Sequence, residues 1–480
     1  MSTMIVEQQT YPMLIGGEWV TTKSSRTVTL PYDGTPVGKV YDADAAVVDR
    51  AIQAGQTGAQ AMALLTQYER AELLERMRTL LERDAEEFGK LICFETGKPI
   101  REARAEAERA SQTLRASADE ARRLHGEAIP MESAPIGKGR WAVTVREPLG
   151  VIGAITPFNV PLNLALHKIG PALAGGNSVV HKPAMNTPLS ALRLARLIDE
   201  AGAPAGAYNV VTGPGSVIGR QMVEDPRIAM ITFTGSVAVG LQIRSSMGLR
   251  RSTLELGANS SLILEPDTDL DTIVPRCVVG SFSHSGQICI SVQNIYVHEK
   301  IETEFADRFL DATRNLKIGH PTEQNTDISS LISHQEAERV ESWIEQARAE
   351  GARVLTGGAR RGATIEPTIL THVSPQMKVC CNEVFGPVVA LHPYLNLEDA
   401  IAAVNASEYG LQAGLCTRDI ERAFKAAKKL QVGGVILNDV PTFRADHMPY
   451  GGVKNSGMGR EGPRYAIEEM TELKLICWRG

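Results

Sequence analysis

From Val151 onward the chain repeats one pattern, a short apolar run followed by a helix-length amphipathic run. VIGAI (151–155), GNSVVHKP, YNVVTGPG, IAMITFTGS and RSTLELG carry the apolar runs, and a helix from Ser190 to Ala201 falls between the second and third. Strands this short and this continuously apolar need cover on both faces, which a parallel sheet flanked by helices provides. A second series starts near Asn259 with SSLILEP, NIYVHEKI, ARVLTGG, PTILTHV, VVALHPY, GLCTRD and GVILND, with helices expected at 270–283, 301–315 and 397–406. The pattern predicts an α/β chain with two parallel-sheet lobes, since 480 residues exceed what one core serves.

Ahead of the sheets, residues 42–125 read as helices, with apolar residues at three- and four-residue steps. The spacing predicts one helix over 42–65, one over 68–97 that stops at Gly97 before Lys98-Pro99, and one over 106–126. GRWAVTVREPLG alternates, and predicts an antiparallel excursion at about 128–147. With the strand-like TELKLICW near the C-terminus it would form a small accessory sheet.

Composition excludes several function classes. The net charge is −6 and the basic residues are dispersed, which argues against a nucleic-acid partner. The most apolar window, 149–166, is interrupted by Pro157, Asn159, Pro161 and Asn163, so a membrane span is not expected. The first twenty residues lack a basic stretch followed by an apolar one. With seven cysteines and no C-x-x-C pair, this argues for reduced thiols, a cytoplasmic location and no metal site.

Several places could carry chemistry. GPGSVIG (213–219) comes within one residue of a glycine-rich phosphate loop. In FTGSVAVG (233–240) a strand ends at Thr234-Gly235, Ser236 stands at the N-cap, and the helix start would favour a phosphate. Lys182 ends a strand where open α/β sheets hold ligands. HSGQICISVQ (284–293) sets Cys289 in a small polar loop, where backbone N–H groups could activate a thiol. A cysteine hydrolase would need His284 as its partner. Glu255, inside TLELGA, is either a member of a buried ion pair or a tuned base.

In their order and spacing, TPFN (156–159), KPA (182–184), FTGS (233–236), LELGA (254–258), GQIC (286–289) and EVFGP (383–387) resemble the NAD(P)-dependent aldehyde dehydrogenase superfamily. The resemblance runs from IGGEW to TELK. It implies Cys289 as the nucleophile, Glu255 as the general base, and Asn159 with the Cys289 N–H as the oxyanion donors. It implies a dinucleotide site at Thr156, Pro157, Phe158, Lys182, Gly215 and Gly219. Phe233, Thr234, Gly235, Ser236 and Leu256 would extend that site. Within it Lys182 meets the adenine-side ribose, Gly235 and Ser236 the pyrophosphate, and Glu383 and Phe385 the nicotinamide ribose. Glu461 matches a second carboxylate that could relay protons.

The resemblance also implies a cofactor domain over 1–127 and 148–257, a catalytic domain over 258–455, and an oligomerisation arm over 128–147 and 465–480 that would build a homodimer or homotetramer. Met185 replaces the acidic residue that often follows the KPA lysine, so NAD or NADP is expected, with a slight preference for NAD. FSHSGQICISVQ and FRADHMPYGG look like branches acting on small polar aliphatic aldehydes such as lactaldehyde. Arg104, Arg109, Arg444 and His447 could meet an anionic tail, or could serve as ion-pair residues. A CoA-acylating dehydrogenase is the alternative, although such relatives typically lack the glutamate that Glu255 supplies.

Overall fold

The computed structural model describes residues 10–480; residues 1–9, part of the stretch read for a secretory signal, lie outside them. The first apolar series forms one sheet. In space its strands run Tyr208–Val210, Ser178–Lys182, Val151–Ile155, Ile228–Thr234 and Arg251–Glu255, all parallel. A two-residue strand, Gly457–Met458, adds an antiparallel edge beside Leu254 and Glu255. Chain order reverses between Val151–Ile155 and Ile228–Thr234, which is where such sheets leave a crevice beyond their carboxyl ends. The register aligns those ends, with Ile155 beside Lys182 and Phe233, and Thr234 beside Glu255.

Side chains alternate between the faces, as strand geometry requires. Val151, Ile155, Val180 and Ile231 pack with Val48, Ala51 and Ile52 of the Ala45–Leu64 helix. Ile152, Ala154, Val179 and Met230 turn the other way, into the core that the Asn163–Ala174 and Leu189–Glu200 helices help to build. The second series forms a seven-stranded sheet, parallel except for the antiparallel edge strand Arg353–Thr356. Its Leu262 and Leu264 face one core and Ile263 another.

Three elements depart from the sequence reading. The helix expected over 68–97 is two, Gln67–Arg83 and Ala85–Thr96, because Asp84 leaves helical geometry at ψ 10°. Its carboxylate binds Arg83 and Arg193, a long-range partner that no periodicity reveals. The next helix begins at Ile100 rather than 106, directly after Pro99. A further helix, His334–Ala349, starts where the Ser333 side chain accepts from the Glu336 N–H, so the S-x-x-E signature did mark it.

The accessory sheet forms as expected. Thr471–Arg479 pairs antiparallel with Arg140–Pro148, beside Ala128–Ile129. Leu473, Leu475, Ile476, Trp478 and Trp141 of these strands are exposed. Among the described residues no helix is long and apolar enough to cross a membrane.

Candidate active site

The cysteine loop is held in a costly backbone conformation. His284, Ser285 and Gly286 take φ of 49°, 55° and 73° in succession, a region that side chains disfavour by about 1–2 kcal/mol per residue. Surrounding elements enforce it. The Glu102 carboxylate accepts the His284 N–H at 2.8 Å, Ser285 donates to the Ser329 carbonyl at 3.0 Å, and Gln287 Oε1 accepts the Ile332 N–H at 2.9 Å. Gly286 is obligatory, since a Cβ there would lie 2.2 Å from the Gly386 carbonyl oxygen. Cys289 follows the strained turn, ahead of the Asn294–His298 strand of the second sheet, and is half-buried. His372, Phe385, Asn438 and Lys454 share this left-handed backbone, but among the described residues only here do consecutive non-glycine residues adopt it, in a turn that ends three positions before the thiol.

Cys289 Sγ lies 2.8 Å from the Tyr450 hydroxyl. Burial pushes the thiol up to about 11, while the Tyr450 hydrogen bond and the Arg444 cation draw it back. Asn159 is buried and spends one amide N–H on the Gln287 carbonyl at 2.7 Å, which ties it to the cysteine loop. The His284 ring is buried, and neither nitrogen has a hydrogen-bond partner among the described residues. It makes no bond to Cys289, so the pairing that a cysteine–histidine hydrolase requires is not formed.

Glu255 ends its strand 3% exposed, with neither carboxylate oxygen hydrogen-bonded among the described residues. Burial, then the charge of Glu461, raises its pKa well above the carboxylate range. Of the two readings left open for it, the buried ion pair is not formed. Glu461 takes that role instead, accepting from Lys168 at 2.5 Å and Arg444 at 3.0 Å, which overcome burial and hold it down to about 2. Lys168 was missed in the sequence, yet a signal was there: it is a lysine in NLALHKIGPALA, a helix buried along its whole length.

A cavity of about 740 Å³ opens beyond the carboxyl ends of the first sheet, lined in part by Thr156, Lys182, Gly215, Gly219 and Phe233. Lys182 is buried, its ammonium lowered to about 8 by burial and then by Arg26, and it donates to the Pro183 carbonyl. Gly215 and Gly219 face its stem, where a Cβ would make ordinary contact at 3.7 and 3.8 Å. An anionic ligand fits a cavity of that size with a lysine in its wall.

Thr234, Gly235, Ser236 and Leu256 gather at the same strand ends without lining this cavity; the Gly235 N–H donates to the Glu255 carbonyl at 3.0 Å. Ser236 does stand at the N-cap of Val237–Ser246, but its side chain makes no capping bond, which leaves the helix N–H groups unclaimed. Pro157 and Phe158 continue from Thr156, and the Phe158 ring meets Phe385 edge-on at 5.7 Å. Phe385 itself sits at φ 49°. Glu383 accepts the Ala258 N–H at 3.1 Å, and burial raises it to about 7. Arg104 binds Glu86, and Arg109 binds Asp446 at 3.0 Å, so both serve as ion-pair residues. His447 is exposed.

Residues 19–476 match the profile of the aldehyde dehydrogenase family. The chain is 48% identical to 3-sulfolactaldehyde dehydrogenase of Priestia aryabhattai, over 99% of each chain. It is 38% identical to lactaldehyde dehydrogenase of Methanococcus aeolicus, over 97% of this chain and 99% of that one. The solved NADP-dependent glyceraldehyde-3-phosphate dehydrogenase of Bacillus halodurans C-125, complexed with NADP, superposes with a TM-score of 0.96 at 36% identity, covering 98% of this chain and 100% of that one. With a strained cysteine loop, an unpaired buried glutamate and a crevice at the sheet's switch point, the chain belongs to the aldehyde dehydrogenase family.

Proposed function

We propose that this enzyme oxidises a small polar aliphatic aldehyde to the carboxylic acid with NAD or NADP, through a covalent intermediate on Cys289. The observation that carries the reading is Glu255, a buried carboxylate with no hydrogen-bond partner among the described residues, whose charge bears on the Cys289 thiol. A carboxylate kept unpaired at that cost in desolvation is suited to accept a proton from water.

Thr156, Lys182, Gly215, Gly219 and Phe233 would hold the dinucleotide, with Gly235 and Ser236 toward its phosphates and Glu383 and Phe385 toward the nicotinamide ribose. When bound, that cofactor supplies the hydride acceptor. The remaining chemistry belongs to the chain. The Cys289 thiolate adds to the aldehyde carbon, and the oxyanion that forms takes hydrogen bonds from the free Asn159 N–H and the Cys289 backbone. Removing one such donor typically slows a reaction about 100- to 1000-fold. Loss of hydride leaves a thioester on the sulfur. Glu255 then takes a proton from water, and the resulting hydroxide releases the acid.

For the substrate, two relatives bear the names of lactaldehyde and sulfolactaldehyde, small aldehydes with a hydroxyl or an anion close to the carbonyl. Arg444 suits such a group, being largely buried, close enough for its charge to act on Cys289, and with its Nε unpartnered. The CoA-acylating alternative is disfavoured by Glu255, because thioester transfer to a thiol needs no base for water. The test is a panel of aldehydes with each cofactor, with and without CoA, followed by cofactor absorbance and product analysis. Small hydroxy- or anionic aldehydes should give free acid, and Cys289→Ala should bind cofactor yet form none. Equal turnover of long-chain aldehydes, or acyl-CoA as the product, would refute the proposal.

A further inference from the structure

We propose that Tyr450 is a further catalytic residue, whose phenol O–H donates to Cys289 Sγ and, with Arg444 stacked on its ring, stabilises the sulfur as the thiolate. This rests on Cys289 being the nucleophile. Neither Tyr450 nor Arg444 falls within the six motifs that carry the family resemblance.

The geometry is specific. Oη and Sγ are 2.8 Å apart, within the range of bonds between two oxygens although sulfur is the larger atom. Tyr450 is 2% exposed, and among the described residues the sulfur is the partner its hydroxyl has. A buried hydroxyl requires a partner, and here the partner is the reacting atom. The ring cannot drift. Tyr450 exchanges both backbone hydrogen bonds with Glu461, at 3.1 and 2.7 Å, and the Glu461 side chain holds Arg444 at 3.0 Å. The Arg444 guanidinium carbon lies 3.7 Å from the Tyr450 ring centroid. A cation on that face withdraws electron density from the ring and strengthens the O–H as a donor.

The charges around the sulfur show why such a donor is needed. Burial opposes the thiolate most, and Glu383 and Glu255 oppose it further; the Tyr450 hydrogen bond and then the Arg444 cation favour it. Lys168 and Arg460, with Arg444, act on Glu255. Tyr450 itself is held well above its ordinary range by burial, so the phenol keeps its proton and donates throughout the working pH range. Phenylalanine would fill the same space, so packing does not explain the hydroxyl. On ionisation the thiol proton passes to water, and the phenol stays neutral.

The experiment measures alkylation of Cys289 by iodoacetamide as a function of pH, in the full-length protein without aldehyde or cofactor, with the modified peptide assigned by mass spectrometry. In Tyr450→Phe the rate near neutral pH should fall about tenfold, and its rise should move up by about one pH unit, the equivalent of that factor. The kcat/KM for aldehyde should fall in parallel, with cofactor affinity unchanged. Incorporating 3-fluorotyrosine at position 450, which has the same shape and a more acidic phenol, should raise the alkylation rate. A Tyr450→Phe profile that coincides with the wild type would overturn the proposal, as would a 3-fluorotyrosine enzyme that reacts no faster. Failure of the underlying reading would look different, because Cys289→Ala would then still turn over aldehyde.

Discussion

At the scale of single residues, the site sets two carboxylates against each other. Glu255 and Glu461 are both buried near the same two cations, yet Lys168 and Arg444 touch only Glu461. Glu461 therefore stays ionised, and Glu255, unpaired and facing that charge, is pushed up. The sign follows: a base with a raised pKa is protonated and idle at low pH, so hydrolysis-limited turnover should climb as pH rises. Glu255→Gln should abolish that climb and lower steady-state kcat by about 100- to 10,000-fold while an initial burst of reduced cofactor survives. Rapid-mixing kinetics across pH would show this, and a normal steady-state rate would remove Glu255 as the base. Met185 supports a second prediction. It is 44% exposed three residues after Lys182, with no carboxylate to repel a 2′-phosphate. Met185→Glu should lower kcat/KM with NADP about tenfold, roughly 1.4 kcal/mol of added repulsion, and change NAD little.

At the scale of elements, close approaches explain why loops of small residues surround the site. Gly257, just past the Arg251–Glu255 strand, would as alanine place its Cβ 2.2 Å from Glu383 Oε2. The clashing atom is the end of a flexible side chain, so the fold can yield by swinging Glu383 off the Ala258 N–H. Gly257→Ala should therefore cost under about 1 kcal/mol in stability, below the usual 1–3 for overpacking a core. Its main effect should be on the cofactor, with KM raised roughly tenfold. Denaturant melts and cofactor titration separate the two, and a large stability loss with unchanged KM would contradict the assignment of Glu383. The motifs made this region legible because TPFN, KPA, FTGS and LELGA each encode a local requirement, a strand end followed by a residue that lets a backbone or ligand come near. The helix break at Asp84 was not legible, because its cause is Arg193, far away in sequence.

At the scale of the whole molecule, the Thr471–Arg479 strand has only its first residue buried, and it forms an edge of a three-stranded sheet. A long edge with apolar side chains in water is an aggregation hazard unless something covers it. A second copy of the chain is the proposed cover. Light scattering at micromolar concentration should give a dimer or tetramer, and Leu475→Arg with Trp478→Arg should shift it toward monomer; a monomeric wild type would refute this. The sequence alone determined the two α/β series and the strand ends, because periodicity and turn chemistry are written in neighbouring residues, and it singled out Cys289 and Glu255 as candidates, whose roles, with that of Asn159, rest on the motif resemblance. Only the tertiary structure decided which buried charges meet. Lys168, Arg444, Tyr450 and Glu461 come from segments up to 293 residues apart, and their pairing depends on packing distances that no local pattern contains.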